Sequence, residues 1–193
     1  SGLVGQVDSG YGTLDRMVIV EGQIDTETIQ TDDSAGILDV IIRPTLEDVR
    51  RYLADNDIRN LRVTEAMVDW YFKRWIEGDK QEDFSVNLGN YAVPIGRFFR
   101  THTRTLFDIQ VNAITQMLRV SDTCLLMGGG FYATLDDIKI WADGGALGKR
   151  TVLYPDRKST PHLAKVPINE LNAYGGLVSL AATLNWKHSR RNA

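Results

Sequence analysis

Residues 15–44 read DRMVIVEGQIDTETIQTDDSAGILDVIIRP. Two runs in this stretch, DRMVIVEGQID and AGILDVIIRP, are rich in Val and Ile and bounded by Gly, Asp and Pro. That composition predicts two strands. In the second run Leu38, Val40 and Ile42 alternate with Ile37, Asp39 and Ile41, so one face is fully apolar and the other mostly so. The polar TETIQTDDS between them suits a loop or an exposed edge strand.

Helical spacing takes over downstream. Thr45 precedes an apolar pattern with Asp48 three positions on, an N-cap arrangement, and Leu46, Val49 and Leu53 share a face. A second helix is predicted from Thr64 to Gly78, with Val68, Tyr71, Phe72 and Trp75 in its stripe. Pro94 opens a third. Its face runs through Ile95, Phe98, Phe99, His102 and Leu106 and on to about Val120. From residue 131 the character turns β again: FYATLDDIKIWA and RTVLYP read as strands. VPINELNAYGG suits a short helix, and LVSLAATLNWK alternates as a half-buried antiparallel strand.

Strands at both ends around helices predict an α+β fold. The expected architecture is an antiparallel sheet of N- and C-terminal strands with a central helical block at about residues 45–120. Residues 1–13, SGLVGQVDSGYGT, hold four glycines and read as an N-terminal arm ordered by a neighbour, either another subunit or its own domain. Residues 14–193 form the single α+β domain.

Composition narrows the function. Hydrophobic residues make up 43 % and charged residues 24 %, enough for a sizeable core. A net charge of −3 speaks against indiscriminate polyanion binding. The single Cys124 forbids an internal disulfide and fits a reducing, cytoplasmic setting. No apolar run approaches the roughly 20 residues of a membrane span.

GGALGKRT, residues 144–151, resembles the end of a phosphate loop only superficially. The motif needs Gly at 143, which is Asp143, and a hydroxyl residue after Lys149, which is Arg150. The stretch reads as a Gly-rich hairpin turn. Gly128–Gly130 in LLMGGGF lacks the G-x-S-x-G serine that an oxyanion loop would serve, so it reads as a hinge between the helical block and the late sheet. His102, His162 and His188 are too scattered for a metal site. Asp32-Asp33 and Asp136-Asp137 lack calcium-loop spacing, and Cys124 has no local base. No catalytic residue, metal ligand or cofactor is therefore assigned.

One charged pattern remains. If helical, Arg97, Arg100 and Arg104 form a stripe at i, i+3, i+7, and no acidic residue lies between Arg97 and Asp108. Guanidinium forks suit phosphates or carboxylates, so these three are the candidate phosphate- or partner-binding residues. The partners expected are copies of the chain itself in a ring, tube or shell, with nucleic acid as a second partner and no membrane. The sequence-level reading is a self-assembling structural subunit of the virion type: a coat, tail or connector element, assembled in the cytoplasm. A nucleic-acid-packaging protein using the arginine stripe is the first alternative, and a small cytoplasmic enzyme with a site assembled by the fold is the second.

Overall fold

The computed structural model describes residues 3–78 and 80–153. In chain order it contains β1 (Leu3–Ser9), β2 (Leu14–Val20) and β3 (Gln23–Asp32). A π-helical turn (Leu38–Ile42) then runs into α1 (Arg43–Asp55), followed by α2 (Glu65–Glu77), β4 (Val86–Leu88) and β5 (Tyr91–Val93). The long α3 (Ile95–Val120), β6 (Thr123–Met127), α4 (Phe131–Trp141) and β7 (Thr151–Leu153) complete it. The content is mixed α and β, as the sequence predicts. The strand predicted at LVSLAATLNWK, the short helix at VPINELNAYGG, His162 and His188 lie outside the described residues.

Five strands form one sheet in the order β3-β2-β1-β6-β7, and β4 pairs with β5 in a separate hairpin. β1, β2 and β3 make an antiparallel meander. Its tight turn puts Glu21 and Gly22 at φ 50° and 82°, the two left-handed positions of a type I′ hairpin turn. TETIQTDDS is the outer strand of that meander, in keeping with its polarity. The sequence predicts antiparallel pairing throughout, but β6 joins β1 in parallel and β7 joins β6 in parallel. A parallel neighbour needs a long crossover, and helices supply it: α4 lies between β6 and β7 in the chain.

Three segments depart from expectation. Residues 3–9, expected as an arm ordered by another subunit or by its own domain, are ordered by their own domain, and not as an arm but as the central strand of the sheet. Gly5, Val7 and Ser9 alternate as its buried side. AGILDVIIRP is not a strand: from Gly36 on it coils, and Val40, Ile41 and Ile42 are all buried. A run apolar on both faces does not distinguish a buried strand from a buried helix. Here the loop 10–12 decides, because Ile37 N and Leu38 N donate to Gly10 O and Tyr11 O. The helix thus begins earlier than the N-cap expected at Thr45, which is buried in its interior. FYATLDDIKIWA is likewise helix α4, with Phe131, Thr134 and Ile138 at i, i+3, i+7 on its buried face. The connection read as a hairpin turn, GGALGKRT, therefore joins a helix to β7, with Gly145 and Gly148 at positive φ.

Two apolar clusters hold the elements. Val7, Leu14, Ile114, Leu118, Leu126, Phe131 and Ile138 pack between the sheet, α3 and α4. Ile41, Val49, Phe72, Trp75, Phe99 and Leu106 fill the space among α1, α2 and α3. In the second, the rings of Phe72, Trp75 and Phe99 meet at centroid distances of 5.2–5.9 Å, and the buried indole N–H of Trp75 donates to Gln81 O at 2.7 Å. α2 keeps its predicted start, since Thr64 Oγ1 accepts from Met67 N. α3 lies against β1 because Gly5 has no side chain: a Cβ there would sit 2.7 Å from Met117 Cβ.

The hydroxyl of Thr45 is buried without a hydrogen-bond partner among the described residues. Removing an unsatisfied buried hydroxyl while keeping the shape relieves a desolvation penalty of about 1 kcal/mol. Thr45→Val should therefore raise the urea midpoint with an unchanged m-value, a comparison made by equilibrium denaturation.

Candidate phosphate-binding loops

β1 ends at Ser9, and the chain turns through Gly10-Tyr11-Gly12-Thr13 into β2. Gly10 N donates to Thr13 O at 2.9 Å and closes the turn. The π-helical segment braces it from behind. Gly36 lies so close that a Cβ there would be 2.3 Å from the Gly12 carbonyl carbon and 2.6 Å from Tyr11 O. Among the described residues a Cβ at Gly12 would meet nothing within 4 Å, so they leave the front of the turn open.

The second loop, Gly128–Gly130, leaves β6 beside it. β1 and β6 are parallel, with Asp8 opposite Met127, so both loops leave the carboxyl ends of neighbouring strands. This is the edge where open α/β sheets place ligands. The loops touch through backbone. Gly130 N donates to Ser9 O at 2.7 Å. A Cβ at Gly128 would lie 2.3 Å from both Asp8 Oδ1 and Ser9 O, and one at Gly130 would lie 2.3 Å from Ser9 Oγ. Gly128 also sits at φ 94°, which L side chains rarely adopt. The triplet expected to act as a hinge is a close-packed clasp. It also delivers the first turn of α4 to this edge, where the helix dipole favours an anion.

A buried polar chain fixes the clasp from below. Thr134 Oγ1 donates to Gln110 Oε1 at 2.5 Å, and Gln110 Nε2 donates to Ser9 Oγ at 2.8 Å. All three side chains are fully buried. They tie α4, α3 and β1 together under the two loops. On the far side of the turn Thr13 Oγ1 donates to Asp15 Oδ2 at 2.9 Å, and Thr31 Oγ1 donates to Asp15 Oδ1 at 2.5 Å. Tyr11 stands half exposed, its phenol pushed above the ordinary range first by burial and then by the carboxylates of Asp69 and Glu65.

The residues singled out from sequence lie elsewhere. Arg97, Arg100 and Arg104 are on α3, where all three line a groove with Ile140 and Trp141 of α4. The Arg97 guanidinium also lies 5.4 Å from the Tyr52 ring and 4.9 Å from the Phe98 ring. His102 Nε2 is 2.7 Å from Asp48 Oδ2, a link between α3 and α1. Cys124 is fully buried on β6, and burial pushes its thiol up to about 12, so it stays protonated at neutral pH. Among the described residues no group of three or more His, Cys, Asp or Glu could hold a metal ion, and no helix is long and apolar enough to cross a membrane. Two cavities, one bounded by α1 and the start of α2 and one between α3 and α4, do not touch the glycine loops. The signal that sequence reading missed was VDSGYGT, a strand ending in Asp8-Ser9 followed by Gly-x-Gly.

No protein-family model matches the sequence, and no curated protein matches it. Solved structures do. Bacillus thuringiensis ParM with ATP is similar at 16 % identity and a TM-score of 0.66, over 97 % of this chain and 47 % of that one. A 15-stranded ParM filament from Clostridium botulinum is similar at 13 % identity and a TM-score of 0.52, over 80 % of this chain and 41 % of that one. Ta0583, an archaeal actin homologue, is similar at 13 % identity and a TM-score of 0.54, over 94 % and 48 %. The chain thus spans about half the length of these structures, and the likeness establishes an actin-like fold. It overturns the virion expectation: these neighbours are ParM and actin homologues, not coat, tail or connector proteins. It gives the nucleic-acid-packaging reading no support.

Gln110→Leu leaves the Ser9 and Thr134 hydroxyls without their buried partner and should cost about 1–3 kcal/mol, read as a lowered urea midpoint. Cys124 should resist alkylation by iodoacetamide at pH 8 in the native protein and react once urea unfolds it, because only the thiolate attacks; mass spectrometry scores both states.

Proposed function

We propose that this chain is the nucleotide-binding part of a subunit that polymerises with copies of itself into a cytoskeletal filament. One observation carries the reading. Two glycine loops, Gly10–Thr13 and Gly128–Gly130, are clasped together at the carboxyl ends of adjacent parallel strands, with the start of α4 facing the same edge. Backbone N–H groups approach a phosphate closely only where side chains are missing. The open front at Gly12 provides that approach.

The neighbours support the ligand and the assembly. Bacillus thuringiensis ParM was solved with ATP, with ADP and with AMPPNP, and the Clostridium botulinum protein was solved as a filament. The ligand class is a nucleoside di- or triphosphate, and the partner is a second copy. A filament of this kind belongs in the cytoplasm.

Isothermal titration calorimetry with ATP and ADP tests the ligand. A Cβ at Gly12 meets no neighbour and the residue is not at positive φ, so Gly12→Val should fold normally while its side chain projects into the phosphate position. Its affinity should fall at least about tenfold, equivalent to roughly 1.4 kcal/mol. Gly144→Ala, in the other glycine-rich stretch, should bind as the parent does. A parent chain that takes up neither nucleotide, or a loss of binding on Gly144→Ala alone, would remove this reading.

A further inference from the structure

The β2–β3 hairpin and the groove between α3 and α4 are the two surfaces of the described chain with the clearest opposite character. Between Met17 and Ile42 there is no Lys or Arg, while Glu21, Asp25, Glu27, Asp32, Asp33 and Asp39 are acidic. β3 is an edge: among the described residues no strand pairs with its outer side. It exposes Ile24 (52 %) and Ile29 (45 %) among those carboxylates. Among the described residues Glu21, Glu27 and Asp33 form no ion pair, and Asp32 is held below the usual carboxylate range chiefly by its bonds to Ser34.

The groove is the counterpart. It has a volume of about 640 Å³, and Arg100, Arg104, Phe107, Ile140 and Trp141 supply its cationic and apolar lining. Ile140 is 72 % exposed. Arg97 reaches the same groove from its perch on Tyr52 and Phe98. Glu82 and Asp137 also line it, so three guanidinium groups stand against two carboxylates. None of the three arginines forms an ion pair among the described residues, although every arginine from Arg43 to Arg59 does.

We propose that the acidic β2–β3 hairpin of one copy docks into the arginine-lined groove between α3 and α4 of the next copy. This rests on the self-association proposed above and assigns its surfaces. Hairpin and groove share no residue, so one copy can offer both at once. The contact is heterologous, and such a contact repeats into an open filament unless its rotation closes a ring. Opposite charge sets the register and the encounter rate. Ile24 and Ile29 against Ile140 and Trp141 supply the apolar area that charge pairs alone do not give. An exposed edge strand is otherwise a hazard that folded proteins cover or charge; here it is charged, and a neighbour covers it.

Charge reversal on each surface tests the contact. Arg100→Glu with Arg104→Glu makes the groove acidic; Glu21→Lys with Glu27→Lys and Asp33→Lys leaves Asp25 and Asp32 as the acidic side chains of the hairpin and makes it net basic. These positions are exposed, and circular dichroism with thermal melting checks that each variant folds. Sedimentation and light scattering, with and without ATP, measure assembly of the full chain. Each variant alone should need at least about a tenfold higher concentration to assemble than the parent. An equimolar mixture of the two should assemble near the parent concentration, because acidic groove then meets basic hairpin in alternation. Ile140→Ser, which alters no charge, should weaken assembly without changing its salt dependence. Parent assembly that both variants retain, or a mixture no better than either alone, overturns the docking and leaves the filament reading standing. A parent that stays monomeric in every condition overturns both.

Discussion

Ser9 and the glycines that meet it set a close approach of backbone to backbone in this structure. With a Cβ at Gly128 or Gly130, β6 could not run this close alongside the end of β1, because each would fall 2.3 Å from atoms of Asp8 or Ser9. Parallel pairing of these strands therefore depends on two missing side chains. Once the strands lie together, Gly130 N satisfies Ser9 O, and Ser9 Oγ is left facing the interior. A buried hydroxyl there is tolerable only with a partner, which Gln110 provides, and Gln110 Oε1 in turn accepts a hydrogen bond from Thr134. The long α3 cannot rotate or slide without breaking that chain. The loops are held because their support is bonded side chain to side chain, while the packing around it is apolar.

The two apolar clusters divide the labour. One, under the sheet, holds β1, β6 and α3 in register and so holds the clasp. The other, built on Phe72, Trp75 and Phe99, fastens α1 and α2 to the outer half of α3. Leu106 belongs to this outer cluster and Ile114, two turns on, to the inner one, so α3 is the shared wall. Its remaining surface carries the arginines. A helix that serves two cores on part of its circumference has only a narrow strip left for solvent or partners, and Arg97, Arg100 and Arg104 occupy it.

Much of the layout was legible in the sequence, and the failures have common causes. α2 and α3 showed helical spacing with Thr64 and Pro94 as starts, and the structure keeps both. TETIQTDDS was polar enough to be an edge. AGILDVIIRP and FYATLDDIKIWA were misread because a short apolar or mixed run carries no decisive period; the hydrogen bonds of loop 10–12 and the packing of Phe131 against the sheet decide them. The candidate site was the least visible part. Glycine in VDSGYGT and in LLMGGGF was taken for flexibility, since a sequence shows that a Cβ is absent but not what would collide with it. GGALGKRT drew attention by its lysine, yet what a phosphate needs first is backbone that it can reach.

β2 connects the two surfaces that matter. It starts at Leu14, directly after the open turn, pairs with β1 on one side and carries β3 on the other. Seven residues of strand span roughly 23 Å, the separation of the Gly10–Thr13 turn from the hairpin tip. The ladder shifts register between Arg16 and Val18, and Val18 N there donates to the hydroxyl of Thr28 at 2.9 Å. A bulge increases local twist and re-aims the strand beyond it. The direction in which the acidic edge points is thus set from the same strand whose first residues frame Gly12, so the geometry of the turn and the aim of the hairpin are one continuous piece of backbone.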